Sequence, residues 1–188
     1  IKKYIKNKSK EFSKSSYRLH FTSNHDENSW KGHVQERLGS LVKSFAVMSV
    51  TLEGMPLIYN GQEAGLNKRL EFFEKDTICW DDLTMTDFYK KLFRLKKENI
   101  ALWNGNYGGD IEIVSNESDS LTFAYIRKKN NNKVISIFNF SKEERFINLS
   151  SEHLNGEFSS IFNRENIVFS TNEKILLKPW QFKVYVNK

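Results

Sequence analysis

The chain has 188 residues, 39% of them hydrophobic, and its single cysteine, Cys79, excludes an intrachain disulfide framework. The net charge is +6, but the basic residues are scattered among apolar and amide residues, and no zinc-finger, RNP-like or glycine-rich phosphate motif accompanies them, so we predict no nucleic-acid partner. No apolar run approaches the length of a membrane span, and the four histidines have no metal-ligand spacing, so we predict neither a membrane span nor a metal site in this segment.

The N-terminal part carries a polar cluster directly after a short strand. Residues 1–12 are rich in lysine and predict a weakly amphipathic helix, and the chain begins within it, which favours a piece of a longer protein. Residues 17–22 predict a strand. The cluster Asn24-His25-Asp26-Glu27-Asn28 follows. Barrel enzymes keep their chemistry at strand ends, but Asn and Asp also cap helices, and taken alone the cluster favours a capping loop.

Residues 29–63 predict a loop, a long helix, a second strand and a second polar turn. Residues 29–33 form the loop, apolar residues then recur at helical spacing over 34–52, and Gly54 ends the helix. The apolar run 55–59 fits a strand buried on both faces, and the turn 60–63 follows it. A helix between two parallel strands brings both polar clusters to one edge of the sheet, so we expect them to be neighbours.

Residues 64–83 show no clear periodicity and contain Phe72, Phe73 and Trp80 among charged residues. These rings and Trp30 are candidates for stacking on sugar rings, but the pattern favours buried packing. Thr84 and Asp87 resemble a capping box, and a helix follows to about residue 97.

The character of the chain changes at the glycine-rich stretch 104–110. Short alternating runs separated by turn residues follow, which predicts an antiparallel sheet or small β-sandwich. The predicted strands are 111–114, 121–127, 134–140, 146–149, 158–162, 174–177 and 182–186. We therefore predict an α/β unit over residues 1–103 and an all-β unit over residues 104–188.

Two motifs at this spacing resemble a known enzyme family. Phe21-Thr22-Ser23-Asn24-His25-Asp26 resembles the F-x-x-N-H-D motif at the end of the seventh barrel strand in the α-amylase family of glycoside hydrolases. The segment Gly54-Met55-Pro56-Leu57-Ile58-Tyr59-Asn60-Gly61-Gln62-Glu63 resembles the G-x-P-x-x-Y-x-G-x-E segment of the eighth strand. The resemblance covers nearly the whole chain. It implies strands 7 and 8 of a (β/α)₈ barrel with their helices, followed by an antiparallel β-sandwich.

The resemblance also assigns roles to the first motif. It makes Asp26 the third carboxylate of the site, which stabilises the oxocarbenium-like transition state, and His25 a donor to a hydroxyl of the same sugar. Asn24 is a substrate-binding candidate that also shapes the loop. The implied reaction is retaining hydrolysis of α-1,4-glucosidic bonds in an α-glucan oligosaccharide or polysaccharide.

The nucleophilic Asp and the general-acid Glu of the family lie on the fourth and fifth strands, which precede this segment. A retaining pair must lie about 5–5.5 Å apart on either side of the bond. Asp26 and Glu27 are adjacent in sequence and tend to point apart, and Glu63 is favoured as a structural partner of its loop. We therefore predict that this chain alone is inactive.

Several alternatives stay open at this point. Within the family, α-1,6-glucosidase, transglycosylase and trehalose synthase share the motif around Asp26. Outside catalysis, the chain could be a carbohydrate-binding or interaction module. No cofactor is expected in this segment, calcium is allowed only in the parent enzyme, and the resemblance favours a secreted or periplasmic location over a cytoplasmic one. Two barrel strands cannot close a barrel, so we expect bare strand edges and self-association through them.

Overall fold

The computed structural model describes residues 1–3, 5, 7, 13, 15–115, 119–163 and 165–188. Lys2, Lys3, Ile5 and Asn7 are helical, and residues 8–12 of the predicted N-terminal helix lie outside the described residues. In the part of the chain that the structure describes, no helix combines the length and the apolar character needed to cross a membrane.

The predicted parallel strand pair is present but short. Strand β1, Leu19–Phe21, pairs in parallel with β2, Met55–Leu57, with Leu19 opposite Met55 and Phe21 opposite Leu57. The prediction that the second strand is buried on both faces is wrong. Both strands are at most partly buried, because the described residues supply no further strand to this sheet.

The long helix between the two strands is interrupted. It consists of α1, Val34–Leu38, a 3₁₀ turn, Gly39–Leu41, and α2, Val42–Thr51. Gly39 has φ 50° and ψ −127°, a conformation that ends α1 and that residues other than glycine rarely adopt. The prediction of one continuous helix is therefore wrong at Gly39, although the flanking residues are helical.

Helix α3, Thr86–Glu98, lies close to its predicted position, but its predicted capping box does not form. The helix is preceded by Met85, which makes no side-chain capping bond. The Thr86 hydroxyl instead donates to the carbonyl oxygen of Glu63 at 3.1 Å, which ties the start of α3 to the turn after β2. Two 3₁₀ turns, Ile100–Leu102 and Gly105–Tyr107, lead into the β region.

The β region is a sandwich of one large and one small antiparallel sheet. The large sheet has the order β3-β4-β5-β10-β7-β8, and β6 pairs with β9 in the small one. The predicted antiparallel architecture is confirmed, and the strand missed by the sequence pattern is β8. The strands are β3 Asp110–Ile113, β4 Thr122–Lys129, β5 Asn132–Asn139, β6 Arg145–Ser150, β7 Gly156–Ser160, β8 Asn166–Phe169, β9 Asn172–Leu177 and β10 Phe182–Asn187.

Both faces of the large sheet are buried, which explains why β4 and β5 contain long buried runs. On one face, alternate residues such as Ala124 and Ile126 pack against Ile147 and Ile175 of the small sheet. On the other face, residues such as Tyr125 pack against α2 and α3. The helices that follow the two barrel-like strands therefore bury their apolar sides on the β-sandwich. The division into units at residue 103 stays a prediction.

A buried arginine joins the helices to the sheet. Arg127 of β4 is 1% exposed, and burial lowers the pKa of its guanidinium to about 10, so the group stays charged at neutral pH. It donates hydrogen bonds of 2.8–3.5 Å to the carbonyl oxygens of Thr51, Leu52, Leu102, Trp103 and Gly109. Four of these carbonyls lie at or beside the C-terminal ends of helical segments, where the helix dipole favours a cation. The close approach also needs glycine, since a Cβ on Gly108 would lie 1.7 Å from the Trp103 carbonyl oxygen.

Candidate functional site

The two polar clusters meet at the C-terminal ends of β1 and β2. Gln62, in the turn after β2, is 5% exposed. Its Nε2 donates to the Thr22 hydroxyl at 2.7 Å, and its Oε1 accepts from the Tyr59 N–H at 2.8 Å. The ends of the two strands therefore share one edge, as expected, and a buried amide that the sequence reasoning did not single out joins the second turn to Thr22, two residues before the first cluster.

Asn24, His25 and Asp26 lie at the start of a helical turn rather than in an open loop. The Oδ1 atom of Asn24 accepts from the Glu27 N–H at 2.7 Å, and its carbonyl oxygen accepts from the Asn28 N–H at 2.9 Å, so Asn24 acts as an N-cap. The turn continues through a π-helical segment, Glu27–Lys31, where the sequence pattern predicts a loop from residue 29.

His25 and Asp26 present their polar atoms to solvent on this turn. Their side chains are 65% and 59% exposed, and His25 Nε2 lies 3.6 Å from Asp26 Oδ2, too far for a direct hydrogen bond. An exposed carboxylate and imidazole side by side can accept from and donate to neighbouring hydroxyls of one ligand. Their part in binding or catalysis stays a prediction at this point.

The Glu27 carboxylate is held by two cations. It lies 2.8 Å from Lys31 Nζ and 2.9 Å from Arg37 Nη1. The hydrogen bond from Lys31, with both positive charges nearby, lowers the pKa of Glu27. Arg37 also donates to the carbonyl oxygens of Thr22 and Gly32, at 2.5 and 2.9 Å. Glu27 and Arg37 thus fix the shape of the turn, and Glu27 is poorly suited to proton transfer.

Two further side chains of the turn fasten the long loop that follows β2. Asn28 is 2% exposed, donates to the Lys68 carbonyl oxygen at 3.1 Å and accepts from the Leu70 N–H at 2.7 Å. Ser29 donates to the Leu70 carbonyl oxygen at 2.7 Å. These bonds join residues about 40 positions apart. The sequence pattern placed Asn28 in the polar cluster but did not indicate which residues it would bind by hydrogen bonds.

The aromatic side chains near the turn are exposed, so the prediction of buried packing for them is wrong. Trp30 is 59% exposed, Phe73 82% and Trp80 49%, while Phe72 is 36% exposed. Trp30, Phe72 and Phe73 contact one another, with ring centroids 4.8–6.2 Å apart, and the Phe72 ring lies 5.7 Å from the His25 ring.

Glu63 supports its loop through the backbone rather than through its carboxylate. Its carbonyl oxygen accepts from the Met85 N–H at 3.2 Å and from the Thr86 hydroxyl. Its Oε2 atom is buried and accepts no hydrogen bond from any residue that the structure describes. Burial raises the pKa of the neighbouring Tyr89 to about 12, and the negative charge of Glu63 adds to this shift. Within the described ranges, no group of three or more His, Cys, Asp or Glu side chains could hold a metal ion.

The chain is similar in sequence to a known protein family and to individual members of it. The family model of the α-amylase catalytic domain matches residues 1–99. α-Amylase 2 of Dictyoglomus thermophilum is 25% identical over 159 residues, which are 78% of this chain and 26% of the relative. Oligo-1,6-glucosidase of Bacillus cereus is 30% identical over 120 residues, which are 64% of this chain and 19% of the relative. The chain thus spans about a quarter or less of the length of these relatives.

The fold has a counterpart among solved structures. A maltogenic α-amylase from Thermotoga neapolitana superposes with a TM-score of 0.81 at 16% identity, covering 98% of this chain and 44% of that one. Identity this low shows the fold alone. The β-sandwich and the strand–helix–strand segment are thus shared with that enzyme.

Proposed function

Because the chain belongs to the α-amylase family of glycoside hydrolases, we propose that it forms the C-terminal part of a retaining glycosidase that acts on α-glucans. One observation carries the proposal. Asp26 and His25 stand exposed on a capped turn at the edge where the two parallel strands end. That edge is where barrel enzymes bind substrate.

Each residue of the motif has a distinct role in this proposal. The Asp26 carboxylate accepts hydrogen bonds from sugar hydroxyls and stabilises the positive charge that develops as the sugar ring flattens. Interactions that are stronger in the transition state than in the substrate raise the rate. His25 donates to a hydroxyl of the same sugar. Asn24 uses its Oδ1 to cap the turn, which leaves its amide N–H groups to donate to the sugar.

Hydrolysis itself needs two carboxylates that this chain does not supply. A nucleophile and an acid must face the bond about 5–5.5 Å apart. Glu27 is engaged by Lys31 and Arg37, and the Oε2 atom of Glu63 is buried. We expect the chain alone to release no reducing ends from soluble starch above the uncatalysed rate. Release at an enzymatic rate would contradict this assignment.

The role of Asp26 is tested in a longer product of the same gene that includes the upstream barrel strands. Asp26→Asn keeps the size of the side chain and removes the charge, so we expect kcat to fall by about 10²–10³ with little change in KM. Asp82→Asn, an exposed acid in the loop after β2, is the matched control and should keep the parental kcat. A kcat for Asp26→Asn equal to that of the control would contradict the proposal.

The family allows other reactions with the same motif. α-1,6-Glucosidase, transglycosylase and trehalose synthase would use Asp26 in the same way and would differ in loops outside this chain. Product analysis on maltoheptaose and isomaltotriose separates them, since hydrolysis, transfer and isomerisation leave different product lengths and linkages.

A non-catalytic carbohydrate-binding or interaction module is the second candidate, and the exposed rings beside His25 favour it. The upstream sequence of the full gene product discriminates between the two. An Asp and a Glu at the ends of the fourth and fifth barrel strands would support the enzyme, and their absence would support the module.

A further inference from the structure

Three exposed rings form one surface beside the candidate site. We call Trp30, Phe72 and Phe73 the aromatic platform. Their exposed fractions are 59%, 36% and 82%, and each ring contacts the other two. Single exposed apolar side chains are ordinary, but a contiguous apolar patch on a polar surface usually marks a binding site.

The structure holds the platform in place from two sides. Trp30 sits on the helical turn whose Asn28 and Ser29 side chains bind the loop backbone at Lys68 and Leu70. Asp76 closes the other side, since it accepts from Lys68 Nζ at 2.6 Å, from the Glu71 N–H at 3.1 Å and from the Thr77 N–H at 2.6 Å. Rings that are fixed before binding lose little entropy when a ligand arrives, so this arrangement favours recognition.

The platform continues directly into the polar part of the site. Phe72 lies 5.7 Å from the His25 ring, and His25 adjoins Asp26. A ligand held by the polar pair would therefore extend over the platform. The C–H faces of a glucosyl ring are apolar and flat enough to stack on aromatic rings, whereas its hydroxyl groups need polar partners.

We propose that the aromatic platform is a stacking subsite for the glucosyl unit next to the one contacted by His25 and Asp26. This inference rests on the proposed function, because it takes the ligand to be an α-glucan. It assigns the polar pair to one sugar unit and the platform to the neighbouring unit. The affinity for a glucan should therefore depend on the number of its glucosyl units and not only on its terminal sugar.

The test is calorimetric titration of the 188-residue chain with maltoheptaose. Trp30→Ala and Phe73→Ala should each weaken binding by roughly three- to tenfold, the range expected for losing one stacking contact. Phe146→Ala is the matched control, since Phe146 is a 57% exposed ring on β6 in the small sheet. All three variants remove exposed rings, so their thermal unfolding midpoints should match that of the parent chain, which separates binding from folding.

The kcat of Asp26→Asn in the longer gene product separates the subsite from the proposed function, because a group that acts in the transition state need not change ground-state binding. If Trp30→Ala and Phe73→Ala bind maltoheptaose like the parent while Asp26→Asn loses kcat, the platform assignment fails and the role of Asp26 stands. If the ring variants weaken binding and Asp26→Asn keeps the kcat of Asp82→Asn, the subsite is supported and the role of Asp26 is contradicted.

Two other results would overturn the subsite. The first is the absence of measurable maltoheptaose binding by the parent chain, or equal binding of cellohexaose, which would remove the α-glucan as the ligand. The second is a dimer in sedimentation velocity that Trp30→Ala dissolves and maltoheptaose does not, which would make the platform a protein interface.

Discussion

Asp76 holds the loop that carries Phe72 and Phe73, although it belongs to no motif in the sequence. The hydrogen bond from Lys68 is the largest of the interactions that lower its pKa to about 2, and two backbone N–H groups add to the effect. The ordinary value is 3.8. Because the pKa is depressed in the folded loop, the carboxylate stabilises the loop above about pH 4, and this contribution is lost as the pH falls through 2.

We predict that Asp76→Asn loosens the loop at neutral pH. An amide side chain cannot form the ion pair with Lys68 and can accept through one oxygen only, so the Glu71 and Thr77 amides, which donate to Asp76, should exchange faster with solvent. Hydrogen exchange measured by NMR tests this, with Asp82→Asn as the matched control and the amide of buried Ile137 in β5 as the reference for global opening. Exchange at Glu71 and Thr77 that matches the control would contradict the role of Asp76.

The part of the candidate site that comes from one short sequence motif was predictable. Asn24, His25 and Asp26 lie in one short motif, and their position after a strand indicated a shared edge with the turn after β2. Arg37 and Asp76 were not predictable, because a basic or acidic residue in a charged segment is usually a solvated surface group. Their partners are fixed by the fold and not by sequence spacing.

The connection between helices and sheet depends on Arg127 of β4. Its guanidinium donates to carbonyl oxygens at the ends of α2 and of the turn Ile100–Leu102, and so links both to the sheet. Its removal would take the guanidinium donor from the carbonyl oxygens of Thr51, Leu52, Trp103 and Gly109, and each buried group left unsatisfied costs about 1–3 kcal/mol.

We predict that Arg127→Met lowers the free energy of unfolding by at least about 3 kcal/mol. Arg94→Met is the matched control on α3. Arg94 is 77% exposed and pairs with Glu98 one turn away, so the control should change stability by less than about 0.5 kcal/mol. Urea unfolding followed by circular dichroism measures both. Equal unfolding midpoints for the two variants would show that Arg127 does not join the junction.

Strand and helix positions were largely predictable, because period-2 and period-3.6 patterns follow from which side of each element is buried. Seven of the eight strands of the β region that the structure describes were located, and the missed strand, β8, has four residues and an irregular burial pattern. The break in the helix at Gly39 was missed because apolar spacing continues across it. The burial of β2 was overestimated because an apolar run does not reveal how many neighbouring strands are present.

The whole chain buries its helices on the β-sandwich and leaves its parallel strand pair at the surface. Leu19, Phe21 and Met55 are 49%, 40% and 42% exposed. A cavity of about 480 Å³ opens between β1 and α2, and Leu19, Phe21, Phe45 and Met48 are among the residues that line it. Unpaired strand edges next to apolar surface promote association between chains, so this side of the molecule is the expected contact between copies.

We therefore predict that the isolated chain associates with itself through β1 and this cavity. Its sedimentation coefficient should rise with concentration, and Leu19→Lys should reduce the rise, because a charge at this position must lose its hydration when a second chain covers it. Leu176→Lys is the matched control, since Leu176 is 46% exposed on β9 of the small sheet. If the control reduces association as strongly as Leu19→Lys, the contact lies elsewhere, and a chain that stays monomeric at every concentration would refute the prediction.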